Sequence, residues 1–161
     1  MGLDITAYSK LQPTGDPEGE WLGGNDSEFK SRADGLEAGR YDHDKSIGFR
    51  AGSYSGYSEW RNELAKLAGY PAVRHESGYK PPEDLHSAGA WERTEGPFWE
   101  LIHFSDCEGV IGPKTSAKLA ADFATFQEKA DAHPDQWFRD RYAKWREAFE
   151  LASNDGAVAF H

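Results

Sequence analysis

The sequence predicts an α+β protein: a mixed or antiparallel sheet with one short and two longer helices packed on it, and two long irregular loops. Three observations predict it. Residues 2–8 and 47–52 alternate apolar and polar side chains at the period of a half-buried strand. Three later stretches repeat apolar residues at spacings of three and four, the period of an amphipathic helix. Between these lie two stretches rich in Gly, Pro, Asp and Glu, residues 12–39 and 70–97, which read as loops. With 161 residues, residues 1–161 form one domain of a size that buries about 68–70% of its unfolded surface.

Taken in order, Leu3, Ile5 and Ala7 form the buried side of a first strand. The 12–39 loop carries Trp21, Leu22, Phe29 and Leu36 as apolar anchors, too many for a segment free in solvent. Asp42, His43 and Asp44 alternate along an extended chain, so the histidine faces away from both carboxylates and no metal site is expected. Ile47, Phe49 and Ala51 make the apolar side of a second strand, with Arg50 between Gly48 and Gly52 on the other side. A helix N-capped by Ser58 follows, its stripe being Trp60, Leu64 and Leu67, and Gly69 ends it. Phe98 to Phe104 is apolar on both faces and is expected to be the central strand, with His103 as a satisfied core histidine. A helix capped by Thr115 or Ser116 then buries Leu119, Phe123, Phe126 and Ala130. Another, after His133 and Pro134, buries Phe138, Tyr142, Trp145 and Phe149, and residues 157–161 return as a last strand.

The net charge of −10 and pI near 5.0 disfavour direct binding of nucleic acid, since little basic surface is left to displace counterions. No apolar run approaches the ~18 residues of a membrane span, and the N-terminus lacks the basic and apolar segments of a secretory signal, so the cytoplasm is the expected location. A single Cys excludes an internal disulfide. Cys107 lies between Asp106 and Glu108, which oppose a thiolate, and is expected to be a packed, inert thiol.

The densest ligand-facing chemistry lies in Phe49 to Arg61. Arg50, the hydroxyls of Ser53, Tyr54, Ser55 and Tyr57, and Arg61 surround an expected helix start, where free N–H groups and the helix dipole favour an anion. Lys114 and Thr115, at another helix start, complete the candidate ligand set across a shared cleft. Gly109, Gly112 and Pro113 stand at the wrong spacing for a nucleotide-binding P-loop. An enzyme would draw on His86, Asp106 and Glu108, although no nucleophile and base stand at a diagnostic spacing. No cofactor and no metal are expected.

The opening MGLDITAYSKL, the blocks FRAGSYSGYSEWRNELAKLAGY and FWELIHFSDCEGVIGP, and the closing GAVAFH resemble a family of small uncharacterised proteins of bacteriophages and prophages. The resemblance implies a phage-like origin and a host-cytoplasm location. Together with the candidate ligand set it suggests a small-molecule binding protein, a homo-oligomer, that sequesters a nucleotide-like host immune signal. The alternatives are a hydrolase or transferase on a nucleotide-like substrate, and an inhibitor of a host enzyme acting through Trp21 and Phe29.

Overall fold

A computed structural model of the chain describes residues 1–161 and shows an α+β fold. Its elements are β1 (Leu3–Tyr8), β2 (Gln12–Pro13), β3 (Glu20–Leu22), a 3-10 helix (Ser27–Ala33), β4 (Gly39–Asp42), β5 (Ser46–Gly52), α1 (Tyr54–Leu67), β6 (Val73–His75), β7 (Glu83–Leu85), α2 (His86–Trp91), α3 (Trp99–Ile102), β8 (Gly109–Ile111), α4 (Pro113–Thr125), α5 (Gln127–Asp131), α6 (Gln136–Ala152) and β9 (Ala157–Phe160). The main sheet has the order β5-β1-β9-β8, a second sheet the order β2-β4-β3, and β6 pairs with β7. Every pairing is antiparallel. No helix is long and apolar enough to cross a membrane.

Alternation along the strands sorts side chains between two apolar clusters. Leu3, Ile5, Ala7, Ala51, Ile111, Val158 and Phe160 meet the helices in a core of 26 buried residues. Tyr8, Val110, Ala157 and Ala159 point the other way, toward Leu22 and Tyr41 of the smaller sheet. The strand covered on both faces is therefore β9, buried at all four positions. Its approach to β1 is so close that a Cβ on Gly156 would fall 1.8 Å from the Tyr8 carbonyl oxygen.

Four expectations are corrected. Phe98 to Phe104 is not the central strand: Phe98 adopts a left-handed backbone (φ +57°) and residues 99–102 form one helical turn. A short apolar run buried on all sides has the same signature in either conformation, and here the rings of Phe123, Phe126 and Tyr142 surround Phe98 from the helical side. The helix expected from Ser58 starts five residues earlier, with Ser53 as N-cap accepting from the Gly56 N–H at 3.0 Å. The reason is the stripe itself, because Tyr57 precedes Trp60 and Leu64 at the same spacing and is wholly buried. Similarly, Gly112 and not Thr115 or Ser116 is the N-cap of α4, with Pro113 in the first turn, where its missing N–H costs nothing. Finally, the 12–39 segment is structured: it supplies β2, β3 and the 3-10 helix.

The Ser53 cap gives a direct test of the revised helix start. Ser53→Ala should lower stability by about 1 kcal/mol, read as a shifted urea midpoint at unchanged slope, whereas Ser58→Ala, inside the helix, should leave the midpoint nearly unmoved.

The long segment is fastened to the main sheet by Asn25. Its carboxamide accepts from the Val110 N–H at 2.6 Å and donates to the Val110 carbonyl at 2.8 Å, so one side chain stands in for a neighbouring strand along the edge of β8. The same nitrogen donates to the Phe29 carbonyl at 2.9 Å. This contact sets the 3-10 helix against residues 100–104, and a cleft opens between them.

Candidate functional site

The structure separates the residues expected to form one ligand set. Arg50 lies opposite Asp4 across the β1–β5 pairing, and its Nη1 donates to both carboxylate oxygens at 3.2 and 3.1 Å. Ser53 caps α1, and Ser55 shares a hydrogen bond with the Ser53 hydroxyl at 3.2 Å. Tyr54 is partly exposed in the first turn, but Tyr57 is buried between Trp60 and Trp145, where burial pushes its pKa up to about 12. Lys114 is exposed at the start of α4. Beside it, Thr115 donates from its N–H and hydroxyl to the Asp34 carboxylate at 2.7 and 3.0 Å, so the chain's own anion already occupies that helix start. The two helix starts also face different neighbours, Trp137 next to Gly56 and Asp34 next to Thr115.

The three residues of the enzyme reading are likewise apart. His86 donates from Nδ1 to the Tyr70 carbonyl at 2.7 Å, while its N–H is held by Asn62. Asp106 lines the cleft described next, and Glu108 lines a different groove beside β8 with Trp21 and His161. Cys107, expected to be packed, is exposed. No three His, Cys, Asp or Glu side chains cluster to hold a metal ion.

Arg61 stands apart from the rest of the expected set because it lies on the buried stripe of α1, one turn after Tyr57. It is only 7% exposed, and it forms one wall of a cleft of about 500 Å³ that also includes Phe29, Trp91, His103, Ser105 and Asp106. Such a volume suits a small ligand with a ring. Other hollows are as large, about 600 Å³ around Leu11 and Asp155 and about 780 Å³ under residues 24–38, yet neither is lined by a buried charged group.

The local cause of this arrangement is the single turn of α3. A helix that stops after one turn leaves its last carbonyls without partners, and two arginines supply them. Arg61 donates from Nη1 to the carbonyls of Phe104 at 2.9 Å and Ile102 at 3.4 Å, with its guanidinium 4.4 Å over the Tyr57 ring. Arg32, 6% exposed, donates to the carbonyls of Glu100 and His103 at 3.3 and 2.9 Å and lies 4.3 Å over Trp99. Trp91 Nε1 adds a third donor, to Ile102 at 3.3 Å.

The two arginines differ in what they leave free. Every nitrogen of Arg32 has a partner, since Nη1 also reaches the Ser31 hydroxyl and Nη2 also reaches His103 Nδ1. Arg61 uses Nη1 alone. Its Nε and Nη2 have no protein acceptor, they are not shut away from solvent, and Arg61 belongs to none of the ion pairs of the protein. These two N–H groups run parallel along one edge of the guanidinium, the fork that grips a carboxylate or phosphate with two bonds.

His103, expected as a core residue, forms part of the wall of this cleft, stacked on Trp99 with rings 5.1 Å apart and 17° from parallel. Burial, with Arg32 and Arg61 adding to it and Glu28 opposing, lowers its pKa below the ordinary value. Sequence reasoning thus named Arg61 and Asp106 but missed Glu28, Phe29, Trp91 and His103 as companions. The available signal was Arg61 itself: it sits four residues after Tyr57 on an apolar stripe, where an arginine without a carboxylate partner is rare. No protein-family model matches the chain, and no curated protein and no solved structure matches it.

Proposed function

We propose that the protein binds a small planar anion of nucleotide-like chemistry in the cleft around Arg61 and returns it unchanged, acting by sequestration. The observation that carries this reading is Arg61, a nearly buried cation in the lining of a cleft walled by Trp91 and Phe29, whose Nε and Nη2 have no protein acceptor and which has no carboxylate partner. A protein of net charge −10 places this cation where water is scarce, so its attraction for an anion is screened less than at the surface. The aromatic walls suit a flat ring attached to that anion. A phage-encoded trap for a nucleotide signal of host immunity is the biological role that fits such a site together with the resemblance described above.

Calorimetric titration with nucleoside monophosphates, cyclic oligonucleotides, ADP-ribose and inorganic phosphate tests it. At least one nucleotide should bind. Two charge-assisted hydrogen bonds at about 1.5–3 kcal/mol each imply that Arg61→Ala weakens it about 100-fold or more. Because Arg61 also braces α3, Arg61→Lys and Trp91→Ala accompany it. Lysine keeps the charge but loses the fork, and removing the indole should cost about tenfold through lost stacking. Absence of heat with every probe, or unchanged affinity in both companion variants, would overturn the reading. Conversion of a bound nucleotide, seen by chromatography, would overturn sequestration.

A further inference from the structure

The cleft holds a second hydrogen-bond donor whose chemistry is set from outside it. A guanidinium only donates, so Arg32 Nη2, 3.2 Å from His103 Nδ1, makes that nitrogen an acceptor and leaves the single ring proton on Nε2. His103 and Glu28 both line the cleft, and Nε2 has Glu28 Oε1 at 3.5 Å, beyond the range of a good hydrogen bond. The Glu28 side chain is itself 65% exposed and free to swing away. The cleft therefore presents an Nε2–H with a loose, replaceable partner next to a guanidinium fork with none.

We infer that His103 is a specificity-determining residue: the ligand anchored by Arg61 also carries an unprotonated acceptor, a ring nitrogen or carbonyl, that takes the Nε2–H in place of Glu28. This rests on the Arg61 cleft being the ligand site. It narrows the ligand from any planar anion to one whose flat ring bears a nitrogen or carbonyl acceptor, as nucleobases do and a bare sugar phosphate, with only ether and hydroxyl oxygens on its ring, does not. Arg32 behind Nδ1, Glu28 before Nε2, Arg61 on the same cleft and Asp106 in its lining are the charged groups that face this ring. Protonating Nδ1 would expel Arg32 from it, so the geometry holds the histidine neutral.

The test compares four nucleoside 5′-monophosphates with ribose 5-phosphate and inorganic phosphate, titrated into wild type, His103→Phe and His103→Gln. Phenylalanine keeps a ring on Trp99 and removes both nitrogens, whereas glutamine restores an amide donor. One lost hydrogen bond is expected to weaken the best nucleotide about 3- to 10-fold in His103→Phe, with partial recovery in His103→Gln and no change for inorganic phosphate. A readout free of ligand follows from the direction of the pKa. Because the folded value lies below the unfolded one, near 6.5, the contribution of His103 to stability is intact above that pH and is lost as pH falls through the folded value. His103→Gln should therefore lose less stability than wild type as pH falls below about 6.5. Equal nucleotide affinity in wild type and His103→Phe, while Arg61→Lys has lost binding, would overturn this inference and leave the Arg61 reading standing. Equal losses for nucleotide and inorganic phosphate would assign His103 to packing and overturn it too. Absence of binding by every probe in the wild type would remove both.

Discussion

Trp145→Ala is expected to lower stability by about 3–5 kcal/mol, a large part of the roughly 5–15 kcal/mol that holds a domain of this size together. The indole is wholly buried, and its ring lies 5.1–5.8 Å from those of Phe49, Tyr57, Trp60, Phe149 and Phe160. Those five rings come from β5, α1, α6 and β9, so the cavity would open where the main sheet meets its helices and could not close by moving one element alone. Trp145 Nε1 has no protein acceptor. Trp145→Phe, which keeps a ring and removes that donor, should therefore cost far less. Urea unfolding of the three proteins decides it, and similar losses for alanine and phenylalanine would refute the account in which ring packing at this position carries the stability.

Asn25→Ala is expected to cost about 2–4 kcal/mol although it removes little apolar surface, because it strips partners from the N–H and carbonyl of Val110, a residue 2% exposed. Asn25→Asp is nearly the same shape and should do about as badly. It keeps an acceptor for the Val110 N–H but sets carboxylate oxygen against the carbonyls of Val110 and Phe29. Two further outcomes are expected. The edge of β8 loses its cover, so the variants should self-associate at high concentration in size-exclusion chromatography. Glu28 and Phe29 lose their anchor, so the affinity of any ligand found for the Arg61 cleft should fall even though Asn25 does not line that cleft. A variant that unfolded at the wild-type urea midpoint would refute the account of this contact.

How much of this was legible beforehand depends on the range over which each signal acts. β1, β5 and the stripes of α4 and α6 were readable because a strand or helix with one buried face repeats that face in its own sequence, whereas β9, covered on both faces, showed only as a short apolar run. The start of α1 differs from the expected one because Ser53 and Ser58 are equally good N-cap residues by type, and Tyr57, already on the buried stripe, selects the earlier one. Phe98 to Phe104 misled for a different reason: being surrounded on all sides, it shows no period, and only its neighbours decide between strand and helix.

The candidate site divides along the same line. Arg50, Ser53 and Thr115 each have the chemistry of an anion site, yet each is satisfied within the fold, by Asp4, by the Gly56 N–H and by Asp34. Arg61 carries the same charge and is left with an open edge. That difference lies in which partners come within about 3 Å, and for Arg32, Arg61 and His103 those partners are about 40 to 70 residues away along the chain. The sequence by itself determined the α+β class, the strands with one buried face and the helical stripes, since these follow from local periodicity. Tertiary structure alone decided that Arg61 keeps an open edge in the cleft, which proton His103 keeps, and where the cleft opens, because hydrogen-bond satisfaction is a property of contacts between segments that local order does not encode.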